Sequence, residues 1–213
     1  MSLTESIPAR DAMERHPGRP RPSTANWIFA PVNRLERRAA EHFISATFRR
    51  TYGATLRGFF PLIMALRLDG RLVAACGLRY ASTGPLFLES YLDRPIEALL
   101  SSSMGAPVDR SATVEVGNLA VARGGYARQL IISLTLHLKR EQADWAVFSA
   151  VPALRNSFLR LGVPILQLVA ADRRRLPPAQ RDEWGTYYDA RPFVTAVRVA
   201  DAHAALDGAA CTR

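Results

Sequence analysis

Glu115 stands between Val114 and Val116 in an apolar run, where a carboxylate is costly unless its charge is compensated. It is either a general base with a shifted pKa or one half of a structural pair with an arginine. Gly117 and Asn118 follow at once, and glycine inside a strand pattern marks a bulge or the close approach of another backbone. Leu119 and Val121 complete the run, and Arg123-Gly124-Gly125-Tyr126-Ala127-Arg128 then opens a helical pattern. The first amides of a helix lack partners within it, so such a turn favours an anion, and Arg123 and Arg128 add positive charge. Glu89, after the apolar residues 86–88, either binds an amine, orients a base or pairs with an arginine. Tyr187 and Tyr188 stand beside Trp184 and Asp189 in a polar loop. They either line an acceptor pocket, where one supplies a proton, or pack the loop onto the sheet.

Strands and helices must hold these groups. Residues 24–30 read as a short strand, and 34–50 as a helix with apolar residues at helical spacing. Leu62–Leu68 and Arg71–Tyr80 are β-rich runs joined by Asp69-Gly70, a strong hairpin signal. A short apolar run at 86–90 adds a possible strand, and 94–101 reads as helix. Thr113–Val121 is strand-like, and 125–142 is an amphipathic helix with Ala127, Leu130, Ile131, Leu134 and Leu138 on one face. A strand at 145–151, a helix at 153–161 and strands at 165–170 and 193–199 complete the order. The expectation is one α/β domain over 24–201, a mixed and mostly antiparallel sheet flanked by helices. Residues 1–23 read as a disordered basic arm, and 202–213 as a loose tail.

Apolar residues make up 48% of the chain and charged residues 22%, as in ordinary globular proteins. No run approaches the ~18 apolar residues of a transmembrane helix. The first residues lack the apolar core of a secretory signal, so a cytoplasmic location is expected. Two cysteines make no disulfide framework, and no His/Cys cluster has metal-ligand spacing, so no metal is expected. The net charge of +9 comes almost wholly from arginine, Lys139 being the only lysine. It reflects either a codon-level bias or a phosphate-bearing partner: a phosphopantetheine carrier, coenzyme A or RNA.

This element order, with a strand–Gly–helix unit at its centre, resembles the GCN5-related N-acetyltransferase (GNAT) superfamily. Gly125-x-Ala127 matches the end of that family's pyrophosphate loop, though Arg123 stands one position closer than the pattern and the loop is shorter. Residues 154–162 resemble the family's penultimate helix, with Phe158 where a tyrosine often serves as general acid. Asn156 belongs to the same helix and is assigned to the donor side with Gly117, Asn118, Leu119, Val121, Arg123, Gly124, Gly125, Ala127 and Arg128. A narrower resemblance, over about 43–199, is to the thermostable hemolysin family. It rests on Tyr52-Gly-Ala54, Gly84–Leu92, Glu115-Val-Gly-Asn-Leu119, Pro152–Phe158 and Trp184-Gly-Thr-Tyr-Tyr188. The same fold resembles acyl-homoserine-lactone synthases, which take acyl groups from acyl carrier protein.

The resemblance implies an acyltransferase moving an acyl group from acyl carrier protein or coenzyme A to a small amine. Glu115 would be the base, and amides near Asn118 would polarise the carbonyl. Tyr187 or Tyr188 would protonate the thiolate. The shortened loop favours a carrier-bound phosphopantetheine over coenzyme A. Two other readings stand beside this one. Arg49-Arg50 and Arg173–Arg175 fit an aminoacyl-tRNA donor, and the family name fits a membrane-active protein.

Overall fold

The Asp69-Gly70 dipeptide adopts the left-handed backbone (φ 49° and 78°) that a two-residue hairpin needs, and the central antiparallel pair grows from it. The structure is a computed structural model describing residues 25–211. The expected basic arm at 1–23 lies outside the described residues.

Strand β1 (Trp27–Pro31) precedes helix α1 (Arg37–Tyr52). The helix closes on Gly53, whose left-handed φ of 66° lets its amide reach the Arg49 carbonyl. Next come the hairpin strands β2 (Leu62–Leu68) and β3 (Arg71–Tyr80), then helix α2 (Ile96–Met104) and strand β4 (Thr113–Val121). Helix α3 (Gly125–Arg140) crosses over to β5 (Trp145–Ala150), which runs parallel to β4. Helix α4 (Pro152–Arg160) starts with proline at its first position, where the missing N–H costs nothing. Strand β6 (Leu166–Ala170), short helix α5 (Pro178–Arg181), strand β7 (Phe193–Arg198) and helix α6 (Val199–Cys211) complete the described residues.

Among the described residues seven strands form one sheet in the order β1-β2-β3-β4-β5-β7-β6, in which only the β4–β5 pair is parallel. One face carries the main core, where Met64, Leu78, Val116 and Phe148 meet Leu130, Ile131 and Leu134 of α3. On the other face Ile44 and Phe48 of α1 cover Ile63, Ala75 and Ala120. Beside them Leu88, Ile96 and Leu100 cover Val147 and Val194.

Two expectations are corrected. Residues 86–90 are no strand; Phe87–Tyr91 is a 3₁₀ turn. The amides that would pair with a neighbouring strand are taken by carboxylates instead: Leu86 by Glu89, and Phe87 and Leu88 by Glu115. The expected loose tail is also helical through Cys211. Ala202 is buried there, and Ala205 and Leu206 pack against the main core. The alanine-rich sequence has the propensity for this, and burial of one face stabilises it.

Candidate functional site

Strands β4 and β5 pair only over Thr113–Glu115 and Trp145–Val147, and beyond these residues they part. A cavity of about 730 Å³ occupies the opening. Gly124 and Ala127 at the start of α3, with Ser157 and Arg160 of α4, line one end. Phe48 and Tyr52 of α1, with Phe87, Trp184 and Tyr187, line an aromatic end. Glu115, Gly117, Asn118 and Ser149 lie along the strands in the same cavity.

Glu115 is 2% exposed and, among the described residues, holds no arginine within salt-bridge distance. Its Oε2 accepts the Phe87 amide and its Oε1 the Leu88 amide, each at 2.8 Å. Burial pushes its pKa up to about 7, against the two amides and the nearby Arg79 charge, which pull it down. The carboxylate is therefore a structural clamp on the 87–91 turn and is also poised to exchange a proton near neutrality.

Arg79 faces Glu115 across β3 and β4, and Gly77 faces Gly117, so all four lie on one face of the sheet. Between Ala75 and Gly77 the register shifts by an extra residue on β4, and Asn118 takes a left-handed φ of 49°. This is the bulge expected at Gly117-Asn118. Its Oδ1 accepts the Phe60 amide at 3.0 Å. The Phe60 ring lies over both glycines: a Cβ at Gly77 would come within 2.5 Å of the Phe60 Cβ. One at Gly117 would come within 2.8 Å of both ring Cε atoms. The Arg79 guanidinium stacks over the ring, 5.1 Å from its centre, and Nη1 donates to the Pro85 carbonyl at 3.2 Å. Among the described residues Arg79 forms no salt bridge.

Residues 31–203 match the family model described as thermostable hemolysin. The chain belongs to the thermostable hemolysin family. No curated protein sequence matches this family member. Its fold is shared with FeeM, an N-acyl amino acid synthase from uncultured soil microbes. The TM-score is 0.57 at 15% identity, over 89% of this chain and 98% of that one. The acyl-homoserine-lactone synthase LasI superposes with a TM-score of 0.56 at 13% identity, over 86% and 96% of the two chains. MesI, a CoA-dependent acyl-homoserine lactone synthase, gives 0.53 at 15%, over 87% and 96%. The GNAT-like architecture expected from the sequence is the one these proteins share.

In this family member Tyr187 reaches the cavity and Tyr188 does not line it. The Tyr187 hydroxyl donates to the Ser149 carbonyl at 3.1 Å and lies 3.2 Å from Ser149 Oγ. Burial raises its pKa, so it keeps its proton at any ordinary pH. The Tyr188 hydroxyl pairs instead with that of Tyr91. Glu89 also lies outside the cavity lining. It caps Leu86 and Ile96 and binds Arg110, which bridges to Glu97. Its pKa is lowered, desolvation being outweighed by those hydrogen bonds.

The turn before α3 is exposed at Arg123, Gly124, Gly125 and Arg128, and only Gly124 and Ala127 line the cavity. The Tyr126 and Ala127 amides turn back onto the Arg123 and Gly124 carbonyls, both at 3.1 Å, which reduces the expected anion cradle. Leu119 and Val121 line the cavity; Asn156 is exposed on α4 and does not. Phe158 is buried and stacked on Phe148 at 5.1 Å, so it is part of the core.

Sequence reasoning missed Phe60, Arg79 and Ser149. Ser149 falls in an apolar strand pattern, and Phe60 and Arg79 reach the site only through register and the path of segment 53–61. The Gly77-to-Gly117 relation is invisible until the strands are paired.

Proposed function

We propose that this protein is an acyltransferase that moves an acyl group from a phosphopantetheine-linked thioester to a small amine bearing a carboxylate. The observation that carries the reading is the cavity through the parted strands, which runs from α3 and α4 to the aromatic side chains with Glu115 inside. The thioester arm enters from the α3–α4 end, and its carbonyl comes to rest at the Asn118 bulge, where the ladder is interrupted. Glu115 accepts the proton of the attacking amine, its pKa near neutrality suiting the task. Tyr187, held at Ser149, gives its proton to the departing thiolate, and the proton that Glu115 took from the amine restores it. Arg79, lacking a carboxylate partner of its own, receives the carboxylate of the acceptor. The activity of FeeM, N-acyl amino acid synthesis, fits such an acceptor, and the CoA dependence of MesI keeps coenzyme A beside acyl carrier protein as donor.

The aminoacyl-tRNA reading gains no support from the structure. Arg173, Arg174 and Arg175 pair with Asp182, Asp172 and Asp93 at 2.9, 2.7 and 2.7 Å, so their charge is largely met within the chain. For the membrane-active reading, no described helix is long and apolar enough to cross a bilayer.

The test supplies acyl-coenzyme A and acyl carrier protein donors with a panel of amino acids. Thiol release and the mass of an N-acyl product are followed together. An amide product lost in Glu115→Gln supports the reading; no thiol release with any donor and acceptor sinks it.

A further inference from the structure

Over Gly77 and Gly117 the chamber floor is a side chain rather than bare backbone. Two glycines face each other on neighbouring strands, and the Phe60 ring fills the slot left by their missing side chains. The ring is held there from several directions. Asn118 accepts the Phe60 amide, the Arg37 guanidinium donates to the Phe60 and Pro61 carbonyls at 2.9 and 2.7 Å, and Arg79 stacks on the ring. Phe60 nonetheless lines the cavity, beside the bulge at Asn118.

We propose that Phe60 sets the length of acyl chain that the site admits. The proposal rests on the acyl-transfer reading above. A chain leaving a thioester carbonyl at the bulge starts beside Phe60, whose amide Asn118 holds, and runs away from the α3–α4 end by which the arm enters, toward the aromatic side chains. The surface beside it is the Phe60 ring over Gly117, with the Arg79 guanidinium stacked on the ring. With the ring in its slot the chain stops above the sheet; without it the chain descends to the backbone of β3 and β4. A methyl group at position 117 acts in the opposite sense, since the ring has nowhere to go but up into the chamber.

Phe60→Ala therefore shifts preference toward longer chains, and Gly117→Ala toward shorter ones. The change is about tenfold or more in the ratio of long to short, the scale on which an apolar pocket senses added methylenes. Phe60→Leu fills part of the slot and gives an intermediate shift, which guards against a folding failure of the alanine variant. The probes are S-butyl, S-octyl and S-dodecyl ethers of coenzyme A and of phosphopantetheine, which cannot react, with affinity measured by calorimetry on the full chain. Opposite shifts in the Phe60 and Gly117 variants support the proposal. Binding of all ethers with an unchanged length profile overturns the proposal and leaves acyl transfer standing. If no ether binds wild type or variants, the donor reading falls, and the proposal with it.

Discussion

Arg79 and Glu115 face each other across β3 and β4, yet the carboxylate is held by the Phe87 and Leu88 amides and not by the guanidinium. Among the described residues the arrangement leaves a cation without a carboxylate partner in the same cavity as a carboxyl group that titrates near neutrality.

Activity is expected to rise with pH through about 7, as Glu115 loses its proton and becomes able to accept one from the amine. Glu115→Gln is expected to lower kcat/KM by about 10²–10⁴-fold and to remove that rise. A pH profile of kcat/KM for wild type and variant checks both. A rise that persists in the variant assigns the titration to another group.

Stability carries a second signature of the same carboxyl. Its pKa is 4.5 when unfolded and about 7 when folded, so the native state holds the proton more tightly. The stabilisation from this proton is complete below pH 4.5 and is lost as pH climbs through about 7. The stability of wild type relative to Glu115→Gln should fall over that window, by a margin on the order of 3 kcal/mol. Urea denaturation of both proteins at several pH values measures it.

Arg79→Met is expected to raise KM for a carboxylate-bearing acceptor about 10–100-fold while kcat changes little, the worth of a charge-assisted hydrogen bond. The same acceptor as its primary amide should show no difference between wild type and variant. Equal loss with both acceptors would assign Arg79 to holding Phe60 alone.

Tyr187→Phe removes the hydroxyl that bonds Ser149 without changing ring volume. The expected result is a loss of about 10²-fold in kcat for donors with poorly leaving thiols, and a smaller loss for activated aryl thioesters. Equal losses across donors of different thiol acidity would exclude proton donation to the leaving group.

Gly185 has a left-handed φ of 52°, and a Cβ there would overlap the Tyr52 carbonyl oxygen. Gly185→Ala is expected to destabilise the fold by more than about 2 kcal/mol, because both conformation and space oppose it. Chemical denaturation gives the value. A change below about 0.5 kcal/mol would show that the 184–190 segment is free to shift.

Much of the scaffold could be read from local pattern. Asp69-Gly70 fixed its hairpin, β4 and α3 stood out by periodicity, and Gly117-Asn118 marked the bulge that the strands show. The site was less legible. Glu115 announced itself as a charge in an apolar run, but its partners are backbone amides, and amides leave no trace in residue types. Glu89 looked equally chemical, yet Arg110 engages it, and one arginine among many gives no hint of which carboxylate it serves. Phe60 lies in a segment without regular structure, and only strand pairing makes the slot it fills.

The bond from the Thr186 amide to the Tyr52 carbonyl joins residues separated by 134 positions. The aromatic wall thus has one half from the first quarter of the chain and the other from near its end. During synthesis α1 and the β2–β3 hairpin emerge long before the residues that close over them. The cleft therefore stays unsealed until translation is nearly complete, with Phe48, Tyr52 and Phe60 bare to whatever binds nascent apolar surface. Overproduced protein is then expected to depend on chaperones for this half more than for the hairpin, which needs only its neighbours in sequence.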